Sequence, residues 1–225
     1  METRCRYCLN ESCVFLNLAQ KDFSFQPEEF TQVLDYEKGQ TLFQEGAPAY
    51  GYYLICEGRI KLARRSAVGK KSLIEILGPG DIIGPAPDGR YRLYAEALEK
   101  SKVGYIDRSA FGQLLARYPQ LATALVERLS VELSRLQERL FSATQPSAPA
   151  KLAHILLELV AEFGKKGPDG ILIDVALSQA ELAEMAGLAR ETVSLTLRGF
   201  ESKGWIKLQK RKIVICEQAS LRASL

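Results

Sequence analysis

The sequence predicts an α+β protein: a β-rich N-terminal domain, a long helix, and a C-terminal winged helix-turn-helix. Three observations predict it. Short strand-like runs alternate with glycines through 36–107. Ala122, Val126, Leu129, Leu133, Leu136 and Leu140 then follow a 4-3-4-3-4 spacing. Finally, LSQAELAEMAGLARETVSLTLRGFESKGWIKLQKRKIVIC joins a capped helix, a glycine turn, a second helix and two strand-like runs. The expected divisions are a cysteine segment at 1–20, a β domain at 21–107, a helical region at 108–144 and a C-terminal domain at 148–225.

The 225 residues are 47% hydrophobic and 25% charged, an ordinary globular balance. No apolar run approaches the ~18 residues of a membrane span. The N-terminus lacks the apolar core of a secretory signal. A cytoplasmic protein with no membrane partner is the expectation. With one histidine, the chain has no Ser/His/Asp arrangement, and it carries neither a paired acid–base constellation nor a phosphate-cradling glycine motif. It therefore reads as no enzyme. His154 lies beside an apolar helical stripe and reads as structural.

The first element is CRYCLNESC, where Cys5, Cys8 and Cys13 fall within nine residues. In a reducing compartment, thiols this crowded point to metal binding or redox chemistry rather than structural bridges. Next come the runs YGYYLICEG, RIKLARR, KSLIEIL and LYAEALEKSKVGYI, whose turn signals at short intervals suggest an antiparallel sandwich or barrel. Pro119 opens the long helix, where its missing N–H costs nothing. The heptad seam closes only against another helix, so Val126, Leu129, Leu133, Leu136 and Leu140 are assigned to a homodimer interface. Leu121, Leu125 and Val131 lie off the seam and are expected to pack on the β domain. QPSAP at 145–149 is a break. Leu152, Ile155, Leu156, Leu159, Val160 and Phe163 form one amphipathic stripe, which Gly164 ends.

In the C-terminal domain, Ser178 and Glu181 form a capping box, and Ala180, Leu182 and Met185 are the apolar positions of the helix it opens. Gly187 makes the turn. The second helix runs from about Arg190 to Lys203, burying Val193, Leu197 and Phe200. Two strands around a Gln-Lys-Arg turn make the wing. Charge is segregated: 148–189 carries a net −3 and 190–212 a net +5. The second helix of such a module enters the major groove of double-stranded DNA with its N-terminal residues at base edges. Arg190 can bond guanine and Glu191 can accept from cytosine. Ser194 and Leu195 lie one turn on. Arg198, Lys210, Arg211 and Lys212 suit phosphates, and Gln179 at the head of the first helix completes the DNA-binding set. Cys216 ends the wing strand and reads as a buried hydrophobe.

In order, YEKGQTLFQEGAPAYGYYLICEGRIKL, LGPGDIIG and ARETVSLTLRGFESKGWI resemble the CRP/FNR family of transcription regulators, from about residue 36 onward. The resemblance implies a cyclic-nucleotide-type β-roll, a long dimerisation helix and a winged helix-turn-helix. It also implies a homodimer on palindromic DNA that touches RNA polymerase. Two departures matter. IIGPAPDGRYRLYAEALE has Pro85 where cyclic-nucleotide binders place glutamate. Tyr91 stands at their phosphate-binding arginine, with Arg92 one residue late. A one-residue slip on a strand turns a side chain to the opposite face, so cAMP is not expected and the FNR branch is closer. Leu195 stands where relatives commonly carry arginine, and Ala189 replaces the usual Ser/Thr cap.

C-x2-C-x4-C before a β-roll resembles the FNR branch, which holds an oxygen-labile 4Fe–4S cluster on N-terminal cysteines and one distant cysteine. The distant position falls on Gly104, so the ligand set implied here is Cys5, Cys8, Cys13 and, as the available fourth, Cys56. A thiol–disulfide switch at the C-x2-C pair, a structural zinc, a small effector and a constitutive factor remain open. The expected mechanism is allosteric: the state of the N-terminal segment and β-roll alters the seam, and the seam sets two recognition helices about 34 Å apart.

Overall fold

The computed structural model describes residues 13–21, 25, 29–65, 71–144, 147–209 and 211–225. The chain separates into two compact units, dividing between Glu132 and Leu133.

The first unit is built from helix α1 (Val14–Lys21), strands β1 (Gln32–Tyr36), β2 (Thr41–Phe43), β3 (Gly51–Glu57), β4 (Ile60–Arg65), β5 (Lys71–Leu77), β6 (Ile82–Ile83), β7 (Tyr94–Ala97) and β8 (Ser101–Asp107), and helix α2 (Arg108–Arg117). The strands form two four-stranded antiparallel sheets, ordered β1-β8-β3-β6 and β2-β7-β4-β5. Alternation along β3 divides its side chains between two cores. Ile55 joins Phe43, Ile60, Tyr91 and Val103 in one. Leu54 and Cys56 join Cys13, Phe15, Phe25, Ile106, Phe111, Leu114, Tyr118 and Leu121 in the other. Asp107 caps α2 by accepting from the Ser109 N–H.

Helix α3 (Pro119–Ala143) begins at Pro119, and the unit boundary falls within it. Leu121 is buried and Leu125 packs on the second core, but Val131 is exposed. The inward face that starts at Leu121 and Leu125 continues at helical spacing through Arg128 and Glu132, which leaves Val131 off it. The seam residues Val126, Leu129, Leu133, Leu136 and Leu140 are all exposed.

The second unit contains the last turns of α3, helix α4 (Ala148–Phe163), strands β9 (Gly164–Gly167) and β10 (Gly170–Ile173), helices α5 (Gln179–Ala186) and α6 (Arg190–Ser202), strands β11 (Ile206–Gln209) and β12 (Lys212–Ile215), and helix α7 (Gln218–Arg222). Arg135 pairs with Glu162 at 2.8 Å, and Arg139 pairs with Glu158, tying α3 to α4 within this unit. The α4 stripe Leu152, Ile155, Leu156, Leu159 and Val160 is buried.

Several expectations need correcting. The cysteine segment includes a helix, α1, which the sequence reading did not assign, and Cys13 at its head is fully buried because Phe15 and Leu18 draw it into the core. The run 93–106 breaks at 98–100 into β7 and β8. Gly164 does end α4, in extended conformation, and the chain passes straight into β9. The wing is part of a four-stranded sheet, ordered β11-β12-β10-β9. Ala180 is exposed and Ala183 is buried in its place, since Leu182 and Ala183 face the core. Cys216 is exposed, standing just past the end of β12.

Candidate nucleic-acid interface

The helix-turn-helix is locally encoded. The Ser178 hydroxyl accepts from the Glu181 N–H at 3.2 Å, and the Ser178 N–H donates back to Glu181 Oε2 at 2.8 Å. Gly187 closes α5 in the left-handed region, at φ 65°. Helix α6 has Ala189 at its N-cap with no side-chain bond to its free N–H groups. Val193, Leu197 and Phe200 seat α6 on the core. That leaves Arg190, Glu191, Leu195 and Arg198 exposed and Ser194 half-buried on the remaining face. Leu195 is 69% exposed on this face. Gln179 heads α5 and is half-buried. Among these residues, the first turn of α6 presents Arg190 and Glu191 side by side to solvent, as base-edge contact requires.

The wing cations are less simple than the sequence suggests. Lys210 lies outside the described residues. The Arg211 guanidinium is 3.6 Å from Glu181, and the Lys212 ammonium 2.5 Å from Asp174. Lys207 reaches Asp169 at 3.3 Å. Lys203 lies over the Trp205 ring, 4.5 Å from its centroid, and Trp205 stacks on Phe200. Sequence reasoning missed β9, and with it Lys165, whose ammonium is 2.6 Å from Asp174. The signal was present in KKGPDGIL, where Pro168, Asp169 and Gly170 spell a hairpin turn. Gly170 has φ 133°, and a Cβ there would meet the Ile215 carbonyl oxygen at 2.2 Å. Hydrogen bonds from Lys165 and then Lys212 hold the Asp174 carboxyl down to about 2.

In the first unit, Cys5 and Cys8 lie outside the described residues. Cys13 and Cys56 are both buried in the same core cluster. Gly104 faces Leu54 across the β3–β8 ladder. A Cβ built on Gly104 would stand 3.7 Å from Cys56 Sγ and 2.4 Å from Thr31 Cγ2. Among the described residues no group of three metal-ligating side chains occurs. The hydroxyl oxygens of Thr31 and Tyr118 are buried without a hydrogen-bond partner.

Tyr91 is buried, stacks on Phe43 with ring centroids 3.8 Å apart, and donates to the Gly51 carbonyl at 2.8 Å. Desolvation pushes its hydroxyl pKa up, and pushes that of neighbouring Tyr53 to about 12. Arg92 is exposed and pairs with Asp88. A cavity of about 570 Å³ lies between the β-sheets and the first turns of α3. Tyr52, Leu77, Phe111, Leu115 and Leu125 supply apolar walls, and Glu75, Asp81, Arg128 and Glu132 its charges. Arg128 is paired with Asp81, which also accepts from the Gly78 N–H.

Comparison with known proteins agrees with both halves of this architecture. Residues 33–118 match the model for a cyclic nucleotide-binding domain, and residues 150–224 that for a Crp-like helix-turn-helix domain. The chain is 30% identical over 193 residues to the "CRP-like cAMP-activated global transcriptional regulator" of Mycobacterium tuberculosis, covering 84% of this chain and 86% of that protein. It is 28% identical over 194 residues to the "Anaerobic regulatory protein" of Bacillus subtilis, covering 84% and 82%. A variant of CooA from Carboxydothermus hydrogenoformans superposes with a TM-score of 0.82 at 22% identity, over 98% of this chain and 99% of that one. At that identity the likeness speaks for the fold.

Proposed function

The chain belongs to the CRP/FNR family of transcription regulators, and from that premise we propose a homodimer on palindromic double-stranded DNA, controlled by redox state or oxygen through a 4Fe–4S cluster. RNA polymerase is its second partner. Dimerisation uses the exposed seam on α3: five large apolar residues in heptad register are left exposed by the chain's own packing. DNA reading uses Arg190 and Glu191 on a G·C pair, with Leu195 against a thymine methyl.

The observation that carries the sensing is the burial of Cys13 and Cys56 in one apolar cluster. Their thiols are the donor type that suits soft metals and iron–sulfur groups. The family's distant cysteine corresponds to Gly104, where the Thr31 methyl fills the place a Cβ would take and Cys56 is the thiol in contact with that place. Two buried hydroxyls nearby also bear on the fit. A buried hydroxyl with no partner costs about 1–3 kcal/mol. Thr31 Oγ1 and the Tyr118 hydroxyl are two such donors, the latter within this cluster. Cys5, Cys8, Cys13 and Cys56 would hold the group. When bound, it supplies a site that changes with oxidant. The protein's part is to keep two of those thiols dry and to couple α1 and β3 to α3 through the packing of Cys13, Phe15, Cys56 and Leu121. The "Anaerobic regulatory protein" among its relatives supports this reading.

A second reading has its own observation, the 570 Å³ cavity against α3. Val126 and Leu129 both line it and lie on the seam, so a small effector there would alter the dimer face. Among the described residues its polar wall has three carboxylates to one guanidinium, which disfavours the anionic phosphate of cAMP. Iron and sulfide analysis of anaerobically purified wild type, Cys56→Ser and Cys216→Ser separates the readings. Iron–sulfur sensing predicts stoichiometric iron and sulfide in wild type and Cys216→Ser, and loss in Cys56→Ser. A wild type without iron leaves the effector reading.

A further inference from the structure

The edge of the C-terminal sheet carries a charge arrangement that the helix-turn-helix alone does not explain. Strand β10 lies between β9 and β12, with Ile173 paired to Gly164 on one side and Ile213 on the other. The next residue, Asp174, therefore stands level with Lys212 and diagonal to Lys165, the partner of Leu172. Its two carboxylate oxygens take one lysine each, Oδ2 from Lys165 at 2.6 Å and Oδ1 from Lys212 at 2.5 Å. The Leu177 N–H donates to the Arg211 carbonyl at 3.1 Å, tying the wing turn to the chain entering α5. Arg211 in turn lies near Glu181 in the first turn of α5.

Three cations and two carboxylates thus gather where the helix-turn-helix begins, and they are layered. The carboxylate side chains of Asp174 and Glu181 are only 17% and 16% exposed, whereas Lys165, Arg211 and Lys212 are 71%, 53% and 42% exposed. The outward surface is cationic and its counter-charges lie beneath. An ammonium has three donors; one on Asp174 leaves two for phosphate oxygens.

We propose that Lys165 and Lys212, held on the shared carboxylate of Asp174, form a phosphate-contact station beside the start of the helix-turn-helix, and that Asp174 restrains the hold of this unit on DNA of any sequence. The proposal rests on the DNA-binding reading and adds to it a residue, Lys165, from a strand outside the helix-turn-helix. Lys165 steers and positions without reading bases. Removing Asp174 leaves the station one negative charge fewer, so non-specific affinity rises while base contacts at α6 stay unchanged.

The test is the salt dependence of binding to a duplex of unrelated sequence, measured by fluorescence anisotropy with the full chain. Thermal melting serves as a folding control. Lys165→Gln is expected to lower the slope of log K against log salt by about 0.9, the contribution of one phosphate contact, equally for every duplex tried. Asp174→Asn is expected to tighten non-specific binding several-fold and steepen the slope. Arg190→Ala is the comparator that changes sequence preference instead. A folded Lys165→Gln protein with the wild-type slope overturns the phosphate contact, and Asp174→Asn that binds no tighter overturns the restraint. Wild type that binds no duplex at any salt overturns the DNA-binding reading itself, a distinct result.

Discussion

Leu129 and Leu140 are 66% and 72% exposed, and both lie on the seam. Fully burying a leucine side chain yields roughly 1.5–3 kcal/mol. Covering the exposed two-thirds of each would yield about 1.3 kcal/mol, and a two-fold dimer contains four such side chains. Alanine retains a methyl at each site, so the double substitution Leu129→Ala, Leu140→Ala should weaken dimerisation by about 4 kcal/mol, roughly a thousandfold in Kd. Alanine is the best helix former, so α3 should persist. Sedimentation velocity across a concentration series reads the shift from dimer to monomer, and circular dichroism confirms the helix. A folded double variant whose dimer Kd moves less than tenfold would refute the assignment of this seam. Leu121→Ala, by contrast, should destabilise the fold by about 2–5 kcal/mol, because Leu121 is buried in the first unit.

Three further outcomes follow from single sites. Ala189→Ser supplies the missing side-chain cap of α6 and should stabilise the C-terminal unit by about 1 kcal/mol, read as a higher melting temperature; no change would mean the serine does not cap. Arg190→Ala should cost about 1–3 kcal/mol of discrimination at one G·C position, and an unchanged preference in a binding selection would contradict the base contact. Asp174 is held near 2 in the folded chain against an ordinary 3.8. Its stabilisation is therefore complete above about pH 4 and lost as pH falls toward 2. As ion pairs with exposed lysines contribute about 0.2–1 kcal/mol each, Asp174→Asn should flatten the acid limb of the stability profile by that order; an identical profile would show that the pairs add nothing.

What was legible in the sequence was local. Ser178, Glu181 and Gly187 specify α5 through bonds spanning four residues or fewer, and the stripes of α4 and α6 follow one period. The heptad spacing likewise places the seam residues along one side of α3, and they are exposed there. What was not legible depends on partners distant in sequence. Strand β9 is GKKG, polar and exposed throughout, and is a strand only because β10 pairs with it. Helix α1 was hidden by the cysteines that precede it, and the burial of Cys13 beside the cluster of Cys56 requires α1, β3 and α2 to meet. Cys216 reads as apolar by type, yet it sits just past its strand and faces solvent. Tyr91 is buried and Arg92 exposed, as expected, but both lie in the segment just before β7, so it is their own contacts and not strand register that separate them.

The central claim is that the state of the thiol-held group governs DNA binding. Its most direct test is the affinity of anaerobically purified protein for a selected palindromic duplex, measured before and after brief exposure to air, with iron, sulfide and oligomeric state determined on the same samples. The account predicts iron and sulfide in the anaerobic sample and their loss in air. It also predicts a parallel change in dimer fraction and at least a tenfold change in affinity. Equal affinity and equal dimerisation before and after exposure, in a sample that has lost its iron, would contradict it.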